Sequence, residues 1–150
     1  MKVYLVNTTF SVYMLDIKES EIFRYVKTLN GVTEEVKHLR KTDINIEQLK
    51  AEKAEIEEKS ELRYLSPVDL SLLQTAKSTD YVLVTDDRKL AKAAEKNDVM
   101  VLSTPRLISE LAFDGIISYE EAERILSDLK AVYIRVDAID KTIKNLKNWR

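Results

Sequence analysis

A chain of 150 residues, 45% of them apolar, can bury one sizeable core, so a single domain over residues 1–150 is expected. With no cysteine and one histidine it excludes disulfides, thiolate zinc sites, a cysteine nucleophile and a multi-histidine metal centre, leaving oxygen to hold any Mg²⁺ or Mn²⁺. A net charge of −2 gives no global pull on nucleic acid, and no run reads as a signal peptide or membrane span, so a cytoplasmic protein without membrane contact is expected.

Taken in order, Val3-Tyr4-Leu5-Val6 is a short apolar run that ends in Asn7-Thr8-Thr9. It predicts a buried strand followed by a helix from about Thr9. Ser20 then caps a predicted helix carrying Ile22, Tyr25, Val26 and Leu29 on one face, which Asn30-Gly31 ends. Thr33 is the next predicted N-cap, with Glu34 and Glu35 in the first turn and Val36 and Leu39 facing inward. The charged stretch 41–59 places Ile46, Leu49 and Ile56 at helical spacing, and predicts a surface helix that is a candidate partner-binding arm. Residues 63–65 read as a brief extended piece.

Ser66-Pro67-Val68-Asp69 carries the signals of a helix start: hydroxyl at N-cap, proline at N1, acid at N3. Leu70, Leu72, Leu73 and Ala76 give this helix its buried side. Tyr81-Val82-Leu83-Val84-Thr85 is an unbroken buried strand, closed by Asp86-Asp87, and a helix runs from there to about Asn97. Val99-Met100-Val101-Leu102 is a third strand, after which Thr104 caps a helix that Gly115 stops. Ser118-Tyr119-Glu120-Glu121 is a capping box for the next helix. Residues 132–136 alternate as an edge strand would, and Asp137 caps a last helix. Strands alternating with helices predict a three-layer α/β/α sandwich on a mainly parallel sheet, with the ends of the first strand and of the Val82-Leu83-Val84 strand side by side.

Three polar clusters fall where such a sheet gathers a site: Asn7-Thr8-Thr9, Asp69 and Thr85-Asp86-Asp87. Carboxylates gathered around a divalent metal are what phosphodiester hydrolysis uses, because the metal activates water and offsets charge building on the phosphate. Each acid also has a structural explanation. Asp69 completes a capping box, Asp86 or Asp87 caps a helix, and Asn7 sits in a turn. Both explanations stand at this level.

The runs Leu65-Ser66-Pro67-Val68-Asp69-Leu70, Val82-Leu83-Val84-Thr85-Asp86-Asp87-Arg88-Lys89-Leu90 and Gly115-Ile116-Ile117-Ser118-Tyr119-Glu120-Glu121-Ala122 resemble the second half of a PIN domain. The T-x-D at Thr85 to Asp87 is the most specific element, and the resemblance covers about residues 65–129. It implies a fold similar to the 5′-nucleases and a Mg²⁺- or Mn²⁺-dependent ribonuclease, of the VapC-like toxin or RNA-processing kind. The implied products are a 5′-phosphate and a 3′-hydroxyl.

By the same resemblance the third and fourth acids fall on Asp69 and Asp87, with Thr85 as supporting hydroxyl and Asp86 beside it. The first acid is replaced by Asn7, followed by Thr8 and Thr9. The second falls on His38, or in the other register on Leu39, in Val36-Lys37-His38-Leu39, with Glu34, Glu35 or Asp16 as substitutes. Asparagine loses a full charge toward a hard cation, and histidine suits Mn²⁺ better than Mg²⁺. Two functions therefore stand side by side: an active endoribonuclease, or a degenerate PIN fold that binds RNA or protein without cutting. Arg88, Lys89 and Lys92 are the candidate RNA contacts, and the basic spacing Lys141, Lys144, Lys147, Arg150 reads first as a solvated face. An antitoxin, another protein partner or a second copy of the chain are the remaining partner expectations.

Overall fold

The computed structural model describes residues 2–56 and 65–149. The extended piece foreseen at 63–65 lies almost wholly outside them, as do the end of the 41–59 stretch and Arg150. Five short strands form an all-parallel sheet in the order β3-β2-β1-β4-β5: β1 Tyr4–Val6, β2 Lys27–Leu29, β3 Glu47–Leu49, β4 Val82–Val84 and β5 Val101–Leu102. Helices α1 (Thr8–Asp16), α2 (Asn30–Arg40), α3 (Pro67–Thr79), α4 (Arg88–Lys96), α5 (Thr104–Phe113), α6 (Tyr119–Leu129) and α7 (Val136–Trp149) cover it, with a 3₁₀ helix over Ser20–Tyr25.

The two faces of the sheet are read directly from alternation along β1 and β4. Tyr4, Val6, Val82 and Val84 pack with Phe10 and Met14 of α1 and with apolar side chains of α5, α6 and α7. Leu5 and Leu83 point the other way, into Val32 and Val36 of α2, Leu72 and Leu73 of α3, and Leu90 of α4. Each such side chain contributes about 1.5–3 kcal/mol on burial. A one-residue slip would send the set to the wrong side, which pins the register Tyr4–Val82, Leu5–Leu83, Val6–Val84. This three-layer arrangement is the one expected from the strand–helix alternation.

Several local expectations are corrected. The span 20–29 is a 3₁₀ turn followed by β2, because Lys27–Leu29 pairs between β1 and β3 and the Thr28 hydroxyl donates to the Val6 carbonyl at 2.8 Å. Asn30-Gly31 starts a helix instead of ending one. A Cβ at Gly31 would lie 3.0 Å from a Val68 methyl, so glycine there permits close approach of α2 and α3. Thr33 is inside α2, its hydroxyl returned to the Asn30 carbonyl, and Leu39 is exposed. No helix occupies the described part of 41–59; Glu47–Leu49 is instead an edge strand with exposed Glu47 and Gln48. Residues 132–135 form no strand, since Tyr133 is buried and α7 begins at Val136. The cap of α5 is Ser103, whose hydroxyl accepts the Arg106 N–H, and not Thr104. The caps at Ser66, Ser118 and Asp87 and the stop at Gly115 (φ 73°) are as expected.

The buried tyrosines give a pH signature. Tyr4, at the start of β1, donates to Asp114 at 3.4 Å, and burial first, then the charges of Asp114 and Glu110, push its phenol from 10.0 up to about 12. The folded state therefore holds this proton more tightly than the unfolded chain does. Its contribution is complete below pH 10 and is lost as pH rises from 10 through 12. Melting temperature should fall steeply across that window, and Tyr4→Phe should flatten the fall; equal slopes in the two proteins would refute the assignment.

Candidate functional site

The sheet order places a topological switch between β1 and β4. From β1 the chain steps outward to β2 and β3, then returns to the other side for β4 and β5. At such a point the loops after adjacent strands diverge to opposite faces and leave a crevice at the carboxyl ends. Asn7 follows β1 and Thr85 to Asp87 follow β4.

The floor of the crevice is a buried polar lattice. Asn7 caps α1, its Oδ1 accepting the Phe10 N–H at 3.0 Å, while its Nδ2 donates to Thr85 Oγ1 at 2.8 Å. The same Thr85 oxygen accepts the Asp87 N–H at 3.0 Å. Asn7 and Thr85 are both buried, so each of these bonds removes a desolvated polar group from the unsatisfied list. An amide is well suited here: it accepts at one end and donates at the other, which a carboxylate cannot do.

Above this floor three carboxylates share one field. Burial pushes the Asp69 carboxyl above the usual range, the negative charges of Asp87 and Glu35 push it further, and a hydrogen bond with Ser66 works the other way. Asp69 stands in the first turn of α3 and Asp87 is the exposed N-cap of α4, its Oδ1 accepting the Lys89 N–H at 2.9 Å. Glu35 comes from α2 and accepts the Thr8 hydroxyl at 2.5 Å. Thr8 thus joins the site through Glu35.

Two residues foreseen for the ring stand elsewhere. His38 is exposed on α2 with no hydrogen-bonding or ionic partner among the described residues; the α2 residue coupled to Asp69 is Glu35. Asp86 is turned away from Asp87. Its Oδ1 accepts the Thr104 N–H at 2.9 Å and the Tyr133 hydroxyl at 2.6 Å, and its Oδ2 accepts the Thr104 hydroxyl at 2.5 Å. Asp86 therefore ties the end of β4 to α5 and to the segment before α7. Tyr133 was missed because its stretch alternates like a strand; Glu35 was named only as a substitute for His38.

The donor set is oxygen alone and carries excess negative charge at Asp69, which suits a hard divalent cation in kind. Among the described residues no three acidic or histidine side chains already converge on one ion position. Of the candidate RNA contacts, Arg88 and Lys92 line a cavity of about 320 Å³ beside Asp87, and Arg135 joins them; Lys89 does not line it. Lys141, Lys144 and Lys147 are exposed along α7, and the Trp149 ring, itself largely exposed, lies 5.3 Å from that of Phe113. No helix among the described residues is long and apolar enough to cross a membrane.

A family model described as PIN domain matches residues 11–147. No curated protein and no solved structure matches the chain.

Proposed function

This chain belongs to the PIN domain family, a nuclease-type fold, and from that premise we propose that it is a divalent-metal-dependent endoribonuclease of the cytoplasm. The observation that supports this most is the mutual field of Asp69, Asp87 and Glu35 at the switch point between β1 and β4. Asp69 and Asp87 would hold the ion, with Glu35 beside them and Asn7 bracing Asp87 from below through Thr85. A bound Mg²⁺ or Mn²⁺ supplies activated water and neutralises charge on the phosphate.

The chain's own contribution is positional. Ser66 and Thr85 accept the backbone N–H groups of Asp69 and Asp87 and so fix the two helix starts that carry the acids. Water oxygen bonds to phosphorus, the bond from phosphorus to the 3′-oxygen breaks, and the proton passes to that oxygen. The products are a 5′-phosphate and a 3′-hydroxyl.

The test is metal removal. Purified protein should cleave single-stranded RNA with Mn²⁺ or Mg²⁺ and stop when EDTA is added. Cleavage that continues in EDTA would overturn the mechanism. A second reading, an RNA-binding module without cleavage, is favoured by the amide at Asn7 in place of an acid and by the lack of a ready three-acid cluster. Retention of intact RNA in the presence of Mn²⁺ would establish it in place of the first.

A further inference from the structure

The cavity of about 320 Å³ at the ends of β4 and β5 has no part in the acid ring, although it borders it at Asp87. Arg88 and Lys92 come to it from α4, one turn apart and about 6 Å along the axis. Arg135 comes from the opposite wall, immediately before α7. All three are exposed, and none is ion-paired with a carboxylate among the described residues. Asp87 and Ser103, the N-caps of α4 and α5, also line the cavity, so two helix N-termini with their partial positive charge adjoin it.

Asp86, Asp87 and Glu95 line the same cavity, so its attraction for an anion rests on directed hydrogen bonds from Arg88, Lys92 and Arg135 and not on a net positive charge. Asp86 spends both oxygens on Thr104 and Tyr133. Asp87 belongs to the ring. Glu95 lies two turns along α4, about 12 Å from Asp87. Three cations with no ion pair among the described residues, beside the acids Asp69, Asp87 and Glu35, are a place for an anion whose neighbour is held by a cation.

We infer that this cavity seats a backbone phosphate of the RNA strand adjacent to the one being cut, with Arg135 as its main contact. The inference rests on the ribonuclease reading, and it assigns the direction in which the strand leaves the acid ring: over α4 and toward β5.

Binding of a fluorescein-labelled single-stranded RNA in EDTA, followed by anisotropy across salt concentrations, separates this inference from the cleavage reading. Arg135→Gln should weaken binding about tenfold and lower the slope of log K against log salt by about 0.7, the loss of one single-strand phosphate contact. Arg135→Lys should retain the slope, and Arg24→Gln, a distant exposed site, should change neither quantity. An RNA carrying one neutral methylphosphonate linkage, scanned along the strand, should show one position that weakens the wild type but not Arg135→Gln. Melting curves of Arg135→Gln identify any general loss of fold. An unchanged slope, an equal effect of Arg24→Gln, or no RNA binding at all would overturn the inference. Binding through Arg135 without metal-dependent cleavage would uphold the seat and sink the ribonuclease reading instead.

Discussion

Asp69→Asn and Asp87→Asn should each slow metal-dependent RNA cleavage by roughly 100- to 1,000-fold, the scale of losing one electrostatic partner of a developing charge. Glu35→Gln should also be severely impaired, whereas His38→Ala should stay within about twofold, the ordinary range for an exposed residue away from the site. The reasoning separates charge from shape. Asparagine and glutamine keep the volume and one oxygen, so what is removed is the negative charge that the ring shares. The loss cannot be attributed to unfolding at Asp69. Its carboxyl binds a proton more tightly in the folded state, so its charge costs stability once it ionises, and neutralising it relieves that cost. Initial rates on a labelled RNA with Mn²⁺, alongside melting curves, decide the matter. If His38→Ala proves as damaging as Asp69→Asn, the ring has been assembled from the wrong α2 residue.

The neighbouring acid should behave in the opposite way. Asp86→Ala leaves the Thr104 N–H, the Thr104 hydroxyl and the Tyr133 hydroxyl without their acceptor, and both residues are buried. Hydrogen bonds to a charged group are worth about 1.5–3 kcal/mol each, and they are not additive within one cluster. A net loss of about 3 kcal/mol is expected, which lowers the melting temperature by about 6–12 °C for a chain of this size. Asp86→Asn should cost less, because the amide still accepts once and can donate to the Thr104 hydroxyl. Tyr133→Phe removes a single donor and should cost about 1.5–3 kcal/mol. If Asp86→Ala melts with the wild type while abolishing cleavage, Asp86 faces the ring after all. Adjacent aspartates are thus expected to divide the labour, Asp86 holding the fold and Asp87 serving the proposed site.

That division was not legible in the sequence, where T-D-D offers two acids at one strand end. The elements that were legible had strong local signals: unbroken apolar runs for β1 and β4, and hydroxyl or acid caps at Ser66, Asp87 and Ser118. Asp69 and Asp87 stood out as candidates because they follow those signals. β2 and β3 were missed because Lys27-Thr28-Leu29 and Glu47-Gln48-Leu49 are not apolar runs, and pairing with β1 overrides the helical spacing around Ile22 and Leu29. The error then propagated. With residues 20–29 read as helix, the start of α2 moved to Thr33; His38 was placed separately, by matching Val36-Lys37-His38-Leu39 to the family pattern, with Glu35 kept as a substitute. Tyr133 and Arg135 meet Asp86 and the α4 cavity only through tertiary packing, for which no local pattern exists.

The central pair of strands also governs when this protein becomes competent. β1 leaves the ribosome early, but its partner β4 is 78 residues downstream, the same separation that the Asn7–Thr85 bond spans. Closing so long a loop is entropically costly and is repaid only when Val82–Val84 docks beside Tyr4–Val6. Asn7, Asp69 and Asp87 come together in that same docking step. A nascent chain halted before β4 can hold local helices, yet it has no crevice and no acid ring. Emergence of the fourth strand is therefore the checkpoint, and the crevice between β1 and β4 arrives with the folded core and never ahead of it.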